Sequence, residues 1–240
     1  MWVVVLIGIG IVVLAHTAPV PFVLDAMAGD FAIWHMPRTN PPTVYLTYDD
    51  GPNPSATPDL LDVLAREQVN ATFFVIDRHV TEETAPIIRR MFADGHAVAL
   101  HSASRREMVL PPLTLARELV AAADRIERLT GSRPCRVFRP HGGWRSASMY
   151  LALRKLDYRL VGWGWMLWDV DWLRPRTADR IVSRLAPRVA AGDIVVMHDG
   201  DESDPRKPQP HTVEATTRLI RQLRANGLAF GTVCRNEPTA

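Results

Sequence analysis

Two adjacent carboxylates, Asp49 and Asp50, end an apolar, β-branched and aromatic run. It reads TVYLTYDDGPNP over residues 43–54 and breaks at Gly51-Pro52. Neighbouring side chains on a strand point to opposite faces. Two acids at a strand end are therefore either a solvated turn or two differently placed tools. Other polar residues fall at matching places. His101 lies near the end of AVALHS (97–102), and Arg139 ends CRVFR (135–139), just before Pro140-His141-Gly142-Gly143. Asp169 and Asp171 follow YRLVGWGWML (158–167), and His198 and Asp199 end the run DIVVMHDG (193–200). Two acids and two histidines suffice for a divalent cation plus an acid/base pair. Zn2+ takes His and carboxylate ligands and keeps a position open for water. The cation lowers that water's pKa and polarises a carbonyl. A carboxylate off the metal can then act as base and a histidine as acid.

The elements that must hold these residues alternate. Strand-like runs at 43–50, 70–76, 97–102, 135–143, 158–167, 193–200 and 228–233 are separated by helical runs at 57–68, 81–95, 114–131, 146–157, 177–192 and 212–227. Thr57 and Pro58 read as a helix start, and Gly95 and Gly131 as helix ends. The alternation argues for a parallel α/β architecture, in which active sites lie at the carboxyl ends of the strands. Periodicity alone does not separate a barrel from an open sheet. No G-x-G-x-x-G or P-loop pattern supports a nucleotide-binding open sheet.

The 240 residues suit one domain, with 47% hydrophobic and 22% charged content. A net charge of +2 with no long basic block argues against nucleic acid. The N-terminus stands apart. WVVVLIGIGIVVLA (residues 2–15) carries no charge. It is short of the roughly 20 residues a span needs and closer to a secretory apolar region of about 7–15. Residues 1–25 are read as a signal or membrane-anchor segment, and membrane association would run through residues 2–15. The expectation is export or anchoring at the cell envelope. Cys135 and Cys234 have no zinc-site spacing. One disulfide in an exported domain and two buried thiols both fit. Oligomeric state is not legible.

TYDDGP (47–52) resembles the T-F-D-D-G-P signature of the polysaccharide deacetylases, the NodB-type carbohydrate esterases. The resemblance runs from about Val44 to Val233 and sets a domain at residues 40–235. HSASR (101–105) stands where that family has H-[ST]-x-x-H, RPHGG (139–143) resembles R-x-P-x-G, WDVDW (168–172) resembles the start of D-x-x-D-W, and VVMHDG (195–200) resembles the L-x-H motif. The resemblance implies a distorted (β/α)7 barrel of the NodB type. It also implies metal-dependent removal of N-acetyl or O-acetyl groups from an acetylated glycan. Asp49 would be the base. Asp50 and His101 would bind a divalent metal, Zn2+ or a similar ion such as Co2+. His198 would protonate the leaving group, Asp171 would orient His198, and Arg139 would hold Asp49. The Gly142 amide could help hold the oxyanion, and Trp168 or Trp172 could stack on a sugar ring.

Two departures qualify this. Arg105 occupies the place of the second metal histidine, and a guanidinium has no lone pair to offer. Either His141 supplies the third ligand, or two ligands and more water hold the metal, or the Arg105 charge replaces it. Arg174 and Pro175 stand where D-x-x-D-W has its second Asp and its Trp, and Asp169 reads as structural or a rim residue. Beside the deacetylase, two readings stay open. One is a glycan-binding pseudoenzyme with a degraded metal site. The other is a deacylase of a small or lipid-linked sugar.

Overall fold

The structure is a computed structural model. It describes residues 2–6, 29–164, 166–170 and 175–234, the first of these stretches being helical. Among the described residues, eight strands form a parallel sheet: β1 (Ala32–Ile33), β2 (Thr43–Gly51), β3 (Thr72–Ile76), β4 (Ala97–His101), β5 (Val137–Arg139), β6 (Arg159–Val161), β7 (Ile194–His198) and β8 (Ala229–Phe230). Their order is β1-β6-β5-β4-β3-β2-β7, with β8 paired to the start of β2. Helices fill the crossovers: α1 (Thr57–Arg66), α2 (Ala85–Ala93), α3 (Pro112–Thr130), α4 (Ala147–Lys155), α5 (Ala178–Leu185) and α6 (Pro210–Ala225). This is the expected α/β architecture, a curled sheet of the distorted (β/α)7 type. The sequence-level alternation missed β1, which pairs with β6 ahead of residue 40. Among the described residues of the run 158–167, the strand is Arg159–Val161.

The gap between β6 and β7 is crossed by irregular chain. Trp168 bridges Val196, and His35, just past β1, bridges Asp193. The Gly164 and Asp169 amides donate to the carbonyls of Ile194 and Val196. Two glycines let this seam close. A Cβ at Gly162 would fall 2.1 Å from the Trp34 ring, and one at Gly192 would fall 2.0 Å from His35.

Strand alternation sorts the core into two groups. Val44, Leu46 and Tyr48 pack outward with the buried faces of the helices, among them Leu60, Leu64, Leu219 and Leu223. Tyr45, Phe74, Ala99, Val137, Val161 and Ile194 form a smaller cluster. Following that second set two residues at a time toward the carboxyl ends leads to Asp49, His101, Arg139 and His198. The inner face of the sheet thus turns from apolar to polar at its carboxyl rim. The helices use ordinary end chemistry: Ser146 and Thr177 accept from the Met149 and Arg180 amides, and Gly131 ends α3 at φ 79°.

Cys135 and Cys234 form a disulfide across 99 residues, tying the segment before β5 to the chain beyond β8. Among the described residues no helix is long and apolar enough to cross a membrane. Most of the apolar N-terminal segment lies outside the described residues.

Candidate active site at the strand ends

A cleft of about 450 Å³ opens at the carboxyl rim, lined by Asp49, Asp50, His101, His141, Gly142, Trp168 and His198 among others. Arg139 lies fully buried behind Asp49. The structure therefore brings eight of the ten expected residues together. The other two, Asp171 and Trp172, lie outside the described residues.

Both aspartates line this cleft, which an ordinary pleat would forbid. Asp49 follows Tyr45 and Thr47 on the inner face, and Asp50 should follow Tyr48 outward. The register with β3 slips between Asp49 and Gly51, and Asp50 has φ 69°. A left-handed backbone at a non-glycine residue is uncommon and needs support from its surroundings. Buried His79 provides part of it, with Nδ1 3.1 Å from the Asp50 carbonyl oxygen. Because a carbonyl only accepts, that nitrogen carries the proton. Burial lowers the His79 pKa, which keeps the ring neutral. Close backbone approach provides the rest. A Cβ at Gly200 would lie 2.0 Å from the Asp50 oxygen.

One Asp49 oxygen, Oδ1, is held by Arg139 at 2.7 Å, and the same guanidinium nitrogen donates to Thr47 Oγ1 at 2.7 Å. Arg139 also donates to the Val161 and Gly162 carbonyls and lies 3.9 Å over the Phe74 ring. Its orientation is therefore over-determined, as a buried charge requires.

Ligand-capable atoms of Asp50, His101 and His141 all lie within 4.8 Å of one another. The hydrogen bonds around this group suit it to a cation. His101 Nδ1 is 2.8 Å from the Arg139 carbonyl oxygen, so that nitrogen is the donor. In the neutral ring, Nε2 then offers a lone pair, and it faces Asp50 Oδ1 at 3.3 Å. That oxygen is buried without a hydrogen-bond partner. Two acceptors so placed need a proton or a metal ion between them. When His101 carries a proton at Nε2 instead, burial still opposes ionisation of Asp50, but the hydrogen bond and charge of His101, then the charges of His198 and His141, outweigh it and hold the carboxyl well below its usual range. Arg105 lies in the 3-10 turn Arg105–Val109, and its side chain lies outside the described set.

On the other side of the cleft stands His198, in register with Asp49. Its orienting carboxylate is Asp169. Asp169 Oδ1 lies 2.7 Å from His198 Nδ1, and Oδ2 accepts the His198 amide at 3.0 Å. Asp169 is fully buried, so it is not the rim residue expected, and it takes the orienting contact expected of Asp171, which itself lies outside the described residues. The Trp168–Val196 bridge sets it, by placing residue 169 directly beside the end of β7. Arg184 secures the segment through the Trp168 and Val170 carbonyls. Burial disfavours the charged imidazole, but Asp169, then Asp50 and Asp49, push the His198 pKa up to about 9. At neutral pH it is an imidazolium, the form a general acid needs.

Three further residues were given no site role by sequence reasoning, and Asp199 was placed at its strand end without one. Trp163 and Arg176 line the cleft. Glu202 lines it as well, with Oε2 3.1 Å from His141 Nε2. Asp199 is buried under the Asp50 turn, hydrogen-bonded by Thr57, and burial raises its pKa to about 7. Glu202 sits in the polar, proline-rich loop 199–211, which its place after His198 marks in the sequence as either a cleft rim or a solvated surface loop, with no residue singled out.

Fold and site together define a class: an α/β-barrel hydrolase whose strand ends carry a cation-type cluster between an arginine-held carboxylate and an imidazolium. Comparison with known proteins agrees. The polysaccharide deacetylase profile matches residues 37–161, more than half of the chain. A chitooligosaccharide deacetylase of Bradyrhizobium sp. (strain ANU 289) is 35% identical over 193 residues, which cover 77% of this chain and 86% of that one. The crystal structure of the Bc1960 peptidoglycan N-acetylglucosamine deacetylase superposes with a TM-score of 0.71 at 26% identity, covering 85% of this chain and 91% of the other. A family 4 acetyl xylan esterase from Clostridium thermocellum, solved with a cobalt ion, gives 0.68 at 31% identity and covers 80% and 88%. The chain belongs to the polysaccharide deacetylase family and is a hydrolase of that family.

Proposed function

We propose that this protein removes acetyl groups from an N-acetylated amino-sugar polymer or oligomer, with a divalent cation held by Asp50, His101 and His141. The observation that carries the reading is the placement of this cluster between Asp49 and His198 in one cleft. When bound, a divalent ion, with Zn2+ or Co2+ suited to two imidazoles and a carboxylate, supplies Lewis acidity toward the acyl oxygen and makes water more acidic. The protein's own groups do the rest. Asp49, with Oδ1 fixed by Arg139, takes the proton of the attacking water. The imidazolium of His198 gives its proton to the departing amine, and Asp169 keeps that proton donor oriented. The amides of His141, Gly143 and Trp144 are bonded to Ser102, Pro140 and His141, which makes the Gly142 amide the candidate donor to the oxyanion. Trp168 offers an aromatic face to a sugar ring.

The relatives named for chitooligosaccharide and peptidoglycan deacetylation support an N-acetyl substrate. The disulfide supports an oxidising compartment. With it goes the proposal that residues 1–25 export or anchor the domain formed by residues 40–235.

The test is acetate release from N-acetylglucosamine oligomers with and without chelator. Release abolished by chelator and restored by Zn2+ or Co2+ is expected. Asp49→Asn should lose roughly 10²–10⁴-fold in rate while still binding metal. A protein that binds the oligomers but releases no acetate under any metal would establish the glycan-binding pseudoenzyme instead.

A further inference from the structure

The third member of the cluster is held differently from the other two. Asp50 and His101 sit at strand ends, whereas His141 lies in a 3-10 turn, His141–Gly143, after β5. Its amide donates to Ser102 Oγ at 2.5 Å, which fixes the backbone but not the ring. At the ring, Glu202 Oε2 lies 3.1 Å from Nε2.

Glu202 is itself tied down. Arg78, in the 3-10 turn Asp77–His79 after β3, donates to the Glu202 carbonyl and, at 2.6 Å, to the Ala103 carbonyl. The adjacent Asp201 accepts the Ser203 and Asp204 amides through Oδ1, while Lys207 lies 2.5 Å from its Oδ2. Loops from the ends of β4 and β7 thus meet at His141, and the loop after β3 ties those two loops together.

We infer that Glu202 is the positioning residue of the His141 ligand, a cross-loop carboxylate–histidine pair that lets a turn residue complete the cation site where the chain carries Arg105. The inference rests on the proposed reading of His141 as a ligand. A histidine ligates through one ring nitrogen, and the partner of the other sets the tautomer and ring orientation. Glu202 accepts the proton at Nε2 and selects the Nδ1 lone pair for the cation. Glu202 is partly exposed in a surface loop, so its substitution leaves the core intact.

The experiment measures Zn2+ affinity of the full chain by competition with a chromophoric chelator, together with the visible spectrum of the Co2+ form. Glu202→Ala should weaken Zn2+ binding about 10–100-fold and alter the Co2+ bands. Glu202→Gln, which keeps an acceptor, should lose less. In a His141→Ala background, Glu202→Ala should cost nothing further, a non-additivity that general loop damage would not produce. Equal losses in both backgrounds, or none in the wild-type background while His141→Ala binds weakly, would overturn the positioning role alone. A loss from Glu202→Ala as large as that from His141→Ala, with a spectrum showing one fewer ligand, would make Glu202 a ligand and overturn it too. Wild-type affinity in His141→Ala would sink the proposed ligand set and this inference with it.

Discussion

His198 depends on one neighbour more than on any other. Asp169 engages both its Nδ1 and its amide. Removing the carboxylate charge in Asp169→Asn should lower the His198 pKa. The protonated acid is then lost at lower pH, so the alkaline limb of the kcat/KM profile should move toward neutrality and the rate should fall by about 10² or more. An unmoved limb would show that Asp169 does not set the acid. The same pair has a stability consequence. The folded pKa of His198, about 9, exceeds the ordinary 6.5. Its contribution is therefore fully present below pH 6.5 and lost as pH rises through 9. Urea midpoints of metal-free protein should drop across that window, and Asp169→Asn should flatten the drop.

The end of β2 is the element on which the site turns. Its inner residues carry Asp49 into the rim in register, and the left-handed step at Asp50 turns a second acid to the same cleft. That step persists because Gly200 lets the β7 loop touch the Asp50 carbonyl and because His79 donates to it. Gly200→Ala forces a methyl group to within 2.0 Å of backbone. It should destabilise the protein by about 1–3 kcal/mol and weaken metal binding as well. Urea denaturation and chelator competition read the two effects separately, and an unaffected variant would mean that the loop has room to move.

For the whole molecule, the seam between β6 and β7 closes a sheet that would otherwise be open at one side, and the Cys135–Cys234 disulfide ties the chain beyond β8 to the segment before β5. The bridge encloses 99 residues in sequence. Constraining a loop of that size typically stabilises by about 2–5 kcal/mol. Cys234→Ser, or reductant added to the wild type, should lower the melting temperature to a similar extent while leaving the residual folded protein active. If reductant has no effect on the melt, the bridge contributes nothing in solution.

Much of this molecule is legible in its amino-acid sequence. Apolar strand-like runs leading to Asp49, His101, Arg139 and His198, with helical runs between them, determine the parallel α/β class and the polar rim, because strand and helix patterning are local properties of the chain. What sequence does not reach are choices made by distant pairings. Asp169 and Asp171 are two residues apart and equally acidic, and only the Trp168–Val196 bridge puts one of them on His198. The face shown by Asp50 depends on a backbone twist supported by His79 and Gly200, far along the chain. By sequence, His141 is only one of three answers to Arg105. The fold of the turn after β5 sets it against Asp50 and His101, and the β7 loop brings Glu202 to it. Local patterning determines which residues reach the rim. Register and loop packing, which join segments tens of residues apart, decide how they meet there.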